Sequence, residues 1–274
     1  MRMKQLTMDE IKSVSLDVLQ EFHDFCEANN LRYTLAFGTL IGVVRHKGYI
    51  PWDDDIDVLM PRPDYELFFR LYENSDDFAA INHEHGNAMI AFGRLCDMKR
   101  TYVDSSIVPW VNCKTGVWID IFPLDGSEND LVSLQGRIAK LKHKWQMGLS
   151  KRLSLRSFSQ CTSISEKVRL LLKKMMYWGK NIDKLVDEHI LECRKYDWET
   201  SMYVGHFSHL GNKIKHLWPK EDFEEYLSKE FEGRKFHVCS GYDRHLRLLF
   251  GDYMKFPPAE QRVPHHGFNK YYWK

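Results

Sequence analysis

The sequence predicts an α+β protein: a mixed β-sheet core flanked by helices, with a basic helical insertion and a C-terminal return. Three observations carry that expectation. Short β-rich runs alternate with helical patterns through the first half of the chain. From about Asn129 the pattern turns helical and rich in Lys and Arg. Strand and helix patterns then resume close to the C-terminus.

Taken in order, Thr7 to about Asn29 reads as an amphipathic helix. Thr7 and Glu10 make a capping-box pair, and Ile11, Val14, Val18, Leu19, Phe22 and Phe25 recur at helical spacing. Leu31–Phe37 is β-rich and ends at Gly38, which predicts the first strand. Thr39–Arg45 is predicted as a short helix whose N-terminus faces whatever Gly38-Thr39 approaches. Gly48 and Pro51 mark Lys47–Trp52 as a loop. Asp55–Met60 is predicted as the second strand. Pro63 opens a helix through about Tyr72, with Asp64 and Glu66 in its first turn, where the helix dipole favours acids.

Strands are expected near Ala79–His83, Met89–Cys96, Thr101–Asp104 and Val117–Phe122, the last closed by Pro123 and Asp125-Gly126. Leu131–Leu149 and Ser165–Tyr196 are the two long helical candidates, separated by a Ser-rich loop at Ser154–Ser163. Lys235–Cys239 reads as a strand and Tyr242–Phe250 as a helix stopped by Gly251. The expected organisation is a core over 1–126, a basic helical region over 127–217, and a segment over 218–274 that completes one domain. No linker is flexible enough to demand separate domains.

The chain has 274 residues, 43% hydrophobic and 14% aromatic, enough apolar surface to exclude a disordered protein. The formal net charge of +1 argues for no particular partner. Its distribution says more. Lys140–Lys180 holds eleven Lys or Arg against one acid, Glu166. Such a lobe can lie in solvent, meet anionic headgroups or bind nucleic acid. Leu170, Leu171, Leu172, Met175, Met176 and Trp178 beside Lys173 and Lys174 favour an anionic membrane over nucleic acid, and no nucleic-acid partner is expected.

No signal peptide is read at the N-terminus, and no run approaches the roughly 18 consecutive apolar residues of a membrane span. The scattered cysteines Cys26, Cys96, Cys113, Cys161, Cys193 and Cys239 suit reduced, buried thiols and a cytoplasmic location. His265-His266 reads as part of the C-terminal tail.

The chemistry concentrates between Gly38 and Val58. A Gly38-Thr39 turn leads within twenty residues to four aspartates, Asp53, Asp54, Asp55 and Asp57, which run into the apolar Val58-Leu59-Met60. Carboxylates at the edge of a buried strand are costly unless a cation meets them. Strand parity puts Asp55 and Asp57 on one face, with Cα atoms about 6.6 Å apart, and turns Ile56 and Val58 to the core. Two carboxylates so placed can hold one or two Mg2+ ions, with Mn2+ as a substitute. Asp120 interrupts an apolar strand, Val117–Phe122, and is a candidate third ligand for a two-metal site. Gly38 and Thr39, at a strand-to-helix turn, suit a phosphate, and Arg45 and Lys47 are further phosphate candidates.

These residues bear a resemblance. Tyr33–Tyr65 resembles the LicD/fukutin-type phosphotransferase family, within the nucleotidyltransferase-fold superfamily. Gly38-Thr39 matches that superfamily's Gly-Ser/Thr step. Asp55-Ile56-Asp57-Val58 matches its Asp-x-Asp strand, except that Asp54 stands where a hydrophobic residue leads. Asp120 is the candidate third aspartate. Arg45-His46-Lys47-Gly48, Ile50–Asp55 and Pro61-Arg62-x-Asp64-Tyr65 are the more specific LicD-like features. Phe231–Phe236, Tyr242-Asp243, Leu249–Met254 and Pro257-Pro258 are similar to the C-terminal signature of bacterial members.

The resemblance implies a nucleotidyltransferase-like catalytic core and a metal-dependent transferase. Such enzymes move a phosphorylated alcohol, in bacteria mostly phosphocholine, from a CDP-activated donor to a glycan hydroxyl and release CMP. The acceptor would be a teichoic acid, lipopolysaccharide or capsule precursor, as a glycan or polyprenyl-linked oligosaccharide. The enzyme would work in the cytoplasm, in peripheral contact with the inner face of the plasma membrane. Asp55, Asp57 and Asp120 would then be catalytic metal ligands, and Gly38, Thr39, Arg45 and Lys47 would bind the donor phosphates. Trp52, Trp110, Trp118 and Tyr253 are candidates to meet a quaternary ammonium by cation–π attraction. Two alternatives stand beside this reading. One is a nucleotidyltransferase that adds NMP from an NTP to a small alcohol, an antibiotic or an RNA end. The other is a non-catalytic glycan-binding or scaffold protein.

Overall fold

Thr7 starts the first helix, α1 (Met8–Ala28), as the capping-box pattern predicts. Its hydroxyl accepts from the Glu10 amide at 3.2 Å, and the Glu10 carboxylate accepts from the Thr7 amide at 2.8 Å. The computed structural model describes residues 4–85, 90–104, 114–152, 163–176, 179, 181–209, 217–263 and 271–274. Among these, the chain builds an α+β fold around a mixed, seven-stranded sheet flanked by helices.

The main path of that sheet runs β1 (Thr34–Leu35), β2 (Asp57–Pro61), β6 (Trp118–Gly126), β4 (Gly93–Asp97), β3 (Phe78–Ile81). Only the β2–β6 pairing on this path is parallel. β7 (Tyr203–Gly205) extends the far end of β6, and β8 (Leu217–Pro219) pairs with β7. β5 (Thr101–Val103) pairs instead with β11 (Tyr271–Trp273). α1 packs on β4 and β6, and α3 (Arg62–Leu71) on β2 and β6. Phe22, Tyr33, Ile56, Val58, Phe68, Ile119 and Ile121 share one buried cluster. Ile56 and Val58 are fully buried, as strand parity required.

A hairpin that the sequence reading half saw completes this core. β10 (Arg234–Cys239) was expected as a strand; its partner β9 (Tyr226–Phe231) was not. The β9 sequence Tyr-Leu-Ser-Lys-Glu-Phe alternates too weakly to declare a strand, and only Phe231 on it is buried. The turn between them, Glu232-Gly233, has both φ angles positive, at 50° and 74°. That is the backbone of a two-residue hairpin, and Gly233 adopts it without steric cost. Phe231, Phe236 and Val238 then enter the main cluster. α7 (Tyr242–Phe250) follows and stops at Gly251, as expected.

Other boundaries move. Helix α2 spans Phe37–His46, so it starts two residues earlier than expected and Gly38 lies inside its first turn rather than before it. β2 begins at Asp57, not Asp55, because only Asp57 onward finds ladder partners on β6. The first strand shrinks to Thr34–Leu35. The expected helix over Ser165–Tyr196 divides into α5 (Ile164–Met176) and α6 (Ile182–Cys193). Asn181 causes the restart: its side chain accepts from the amides of Asp183 and Lys184 as a new N-cap. α4 (Leu131–Arg152) packs against α6. Arg137 ties this helical region to the sheet, donating to the carbonyls of Gly126, Glu192 and Cys193 and to Glu128.

On α5, Ile164, Val168, Leu171, Leu172 and Met175 are exposed. Their spacing places them along one helical stripe. Among the described residues, no helix is long and apolar enough to cross a membrane.

Candidate active site

Register brings three charged residues into one row across the sheet. Asp57 on β2 lies opposite Asp120 on β6, and Asp120 lies opposite Arg94 on β4. Directly opposed residues point to the same face, about 4.8 Å apart between strands. Arg94 Nε donates to Asp120 Oδ1 at 2.6 Å, with both side chains almost fully buried. Burial pushes the Asp57 carboxyl well above the usual carboxylate range. Asp55, Asp120 and Asp53 push it in the same direction, and Arg94 opposes them. The row is therefore short of positive charge.

The rest of the cluster lies just before β2. Asp53, Asp54 and Asp55 bring carboxylate oxygens to within 4.8 Å of one another. Alternation along an extended strand would set Asp54 on the face opposite Asp53 and Asp55. Parity fails there because residues 53–55 precede the ladder and follow a turn closed by Asp53 N donating to Ile50 O at 2.9 Å. The close carboxylate group is thus Asp53, Asp54 and Asp55 rather than Asp55 with Asp57 and Asp120, and the Asp57–Asp120 row of the sheet lies next to it. An all-carboxylate donor set of this kind matches the hard oxygen chemistry of Mg2+. Lys12 on α1 also reaches this end, donating to the carbonyls of Ile50 and Pro51.

Gly38 belongs to the same cluster. A Cβ at this position would sit 2.4 Å from Asp53 Oδ2, so only glycine lets α2 approach the carboxylate so closely. Phe37, with φ of 46°, takes the left-handed backbone that swings Gly38 into place. Thr39 is buried, and its hydroxyl accepts from the Asp57 amide at 3.0 Å. Its first task is thus to hold the entry of β2 against α2.

Arg45 and Lys47 lie at the other end of α2, about 10 to 14 Å along the axis from Gly38. They do not converge with Gly38 and Thr39 on one phosphate. Arg45 Nη1 donates to the Tyr253 carbonyl at 2.8 Å, and its guanidinium stacks 4.5 Å from the Phe256 ring centre. Lys47 is exposed, and its carbonyl accepts from Glu232 N at the hairpin tip. The Glu232 carboxylate in turn accepts from the Tyr49 amide at 2.9 Å. The hairpin tip therefore holds the loop that leads to the aspartates.

The aromatic candidates separate. Trp52 and Tyr253 line a cavity of about 710 Å³ together with Arg45, Phe256 and Arg262. The Arg262 guanidinium already lies 5.5 Å from the Trp52 ring centre. Trp118 lines a second, small cavity of about 10 Å³ beside Asp54, Asp55 and Tyr271. Its ring stacks with Tyr271 and meets Arg94 at 4.3 Å. Trp110 and His265-His266 lie outside the described residues, as do Cys113, Cys161 and Trp178.

Arg94 is the main residue that sequence reading missed. The signal was present: Arg94 interrupts an apolar strand as Asp120 does, and two opposite charges interrupting two strands invite pairing. His206 and His209 also approach this face, through ring contacts with Phe122 and Phe92. The LicD-like Pro61-Arg62-x-Asp64-Tyr65 stretch serves the frame. Arg62 forms a buried two-point pair with Asp125, at 2.6 and 2.9 Å. Asp64 accepts from Arg32 through both backbone and side chain.

Residues 30–162 match the family model described as LicD/FKTN/FKRP, nucleotidyltransferase domain. The chain is 34% identical over 279 aligned positions to the lipopolysaccharide cholinephosphotransferase LicD of Haemophilus influenzae. That alignment covers 96% of this chain and 97% of the relative. A shorter match, 37% identical over 96 residues, covers 35% of this chain and 31% of an uncharacterized protein of Rickettsia typhi. With an acidic cluster where the family model aligns, and a relative alike almost end to end, the chain belongs to the LicD family.

Proposed function

We propose that this protein transfers phosphocholine from a CDP-activated donor to a hydroxyl of a lipopolysaccharide precursor and releases CMP. The observation that carries the reading is the alignment with the Haemophilus enzyme, which runs through the acidic cluster and through the C-terminal hairpin alike. In the reaction, the oxygen of the acceptor hydroxyl forms a bond to the phosphocholine phosphorus, and its proton passes to solvent. The bond from that phosphorus to the bridging oxygen breaks, and CMP leaves with the electron pair.

Asp53, Asp54 and Asp55, with Asp57 and Asp120 in the adjacent row, would hold Mg2+, which would neutralise charge on the diphosphate. Arg94 holds Asp120 and lends positive charge to the same row. Gly38 keeps the α2 N-terminus open to the cluster, where backbone amides favour an anion. Arg45 and Arg262, with Trp52 and Tyr253, make the larger cavity suited to an anionic group that stacks, such as the donor nucleotide. The exposed stripe of α5, in a basic region, is the surface that would rest on the anionic membrane carrying the acceptor.

A panel of CDP-alcohols with a lipopolysaccharide acceptor, followed by phosphorus NMR, tests this. CMP released from CDP-choline with a new phosphodiester on the glycan is expected. Pyrophosphate from an NTP, with every CDP-alcohol left intact, would replace it with the nucleotidyltransferase reading.

A further inference from the structure

A second group of metal-ligating side chains lies away from the aspartates. His23 and Glu27 stand one turn apart on α1, and His237 reaches them from β10. One ligand atom from each lies within 4.8 Å of the other two. His237 Nε2 is 3.3 Å from Glu27 Oε1, close to the roughly 3.4 Å between neighbouring ligands around a tetrahedral zinc ion.

The two imidazoles are held in place by one residue. Tyr33 stacks on His237 at 5.1 Å and 21°, and its hydroxyl lies 2.7 Å from His23 Nδ1. The His237 amide donates to the same hydroxyl at 3.2 Å. With Nδ1 engaged in this way, Nε2 is the nitrogen that His23 offers to a metal. A ligating histidine whose other nitrogen is bound by a protein group is the usual arrangement around zinc. The rings of His23 and His237 meet edge-on at 5.4 Å, so neither blocks the other's approach.

We propose that His23, Glu27 and His237 form a zinc site that staples the β9–β10 hairpin to α1, apart from the carboxylate cluster. Two imidazoles and one carboxylate are a recognised zinc donor set, and water would complete the fourth position. The staple has a structural purpose. The tip of this hairpin holds the loop before the aspartates through Glu232, and Arg234 pairs with Asp17 of α1. His237 would add the anchor at the middle of β10.

The test uses the full-length protein, freed of affinity-tag histidines and stripped by chelator, with Mg2+ in excess to saturate the aspartates. Zn2+ is titrated by calorimetry, and Co2+ binding is read from its d–d absorption. One Zn2+ per chain and a tetrahedral Co2+ spectrum without thiolate charge transfer are expected. At about a hundred times Kd, Zn2+ should raise Tm by roughly 5–10 °C. Glu27→Gln and His237→Asn should each weaken Zn2+ binding at least tenfold, while Asp57→Asn leaves it unchanged. Because Glu27 is exposed, its variant keeps the fold. Parent-like zinc affinity in both variants, a thiolate spectrum, or no zinc binding at all would each overturn the site.

Discussion

Arg94 Nε donates to Asp120 Oδ1 at 2.6 Å, and Asp120 is itself the register partner of Asp57. One guanidinium thus serves a row that holds the buried Asp120 and the half-buried Asp57. Replacing it should expose how much of the site's charge balance it carries. Arg94→Gln is expected to cost about 3–5 kcal/mol in denaturant unfolding of the metal-free protein, because a buried carboxylate loses its partner. Turnover should fall roughly 10²–10³-fold. A variant with parent stability and turnover would show that Asp120 needs no fixed cation.

Asp57→Asn separates stability from function. The folded carboxyl has its pKa raised well above 3.8, through burial and then Asp55, Asp120 and Asp53. The native state therefore holds this proton over a window in which the unfolded chain has released it. That contribution is complete below 3.8 and is lost as pH rises through the folded value. The neutral amide does not lose it. Without divalent metal, the Tm advantage of Asp57→Asn over the parent should grow as pH rises from about 4. Turnover should vanish in Asp57→Asn and likewise in Asp55→Asn and Asp120→Asn. A Tm difference flat with pH, or full turnover, would contradict this account.

Gly38→Ala should harm the site more than the fold. Its Cβ would meet Asp53 Oδ2 at 2.4 Å, and that carboxylate is the movable end of a side chain. The backbone can remain while the carboxylate swings away. Displacing a positioned group by about 1 Å can cost roughly 100-fold in rate. The expected result is a loss of that order with an unchanged circular dichroism spectrum. Equal turnover would show that Asp53 need not stay where it lies.

The Arg62–Asp125 pair belongs to the frame and should behave as such. Both side chains are buried, and Asp125 is the penultimate residue of β6. Asp125→Asn strands the Arg62 charge and should cost about 3–5 kcal/mol in urea unfolding. Arg62→Met with Asp125→Leu should recover most of that loss, since an apolar pair of similar volume avoids desolvation. No recovery would mean that the pair fixes the junction of α3 and β6 by geometry as well as by charge.

What could be read along the chain is what depends on neighbours in sequence. The capping box placed the start of α1, and apolar periodicity placed the helices and most strands. The Gly-Thr step and the run of aspartates marked the candidate site because glycine and carboxylates have few other reasons to meet an apolar strand. Asp120 was found by the same logic. The β9 strand was not, since its side chains are mostly exposed and carry little alternation.

The remaining features come from contacts between residues distant in the chain. Pairing of β4 with β6 put Arg94 on Asp120, across 26 positions. The turn at Ile50–Asp53 broke the strand parity and brought Asp54 to the side of Asp53 and Asp55. Folding sent Trp52 and Tyr253 to one cavity and Trp118 to another, and set Arg45 at the far end of α2 from Gly38. It also carried His237 to His23 and Glu27. Local pattern reports which face a side chain leaves the backbone by; sheet register and helix packing determine what it meets there.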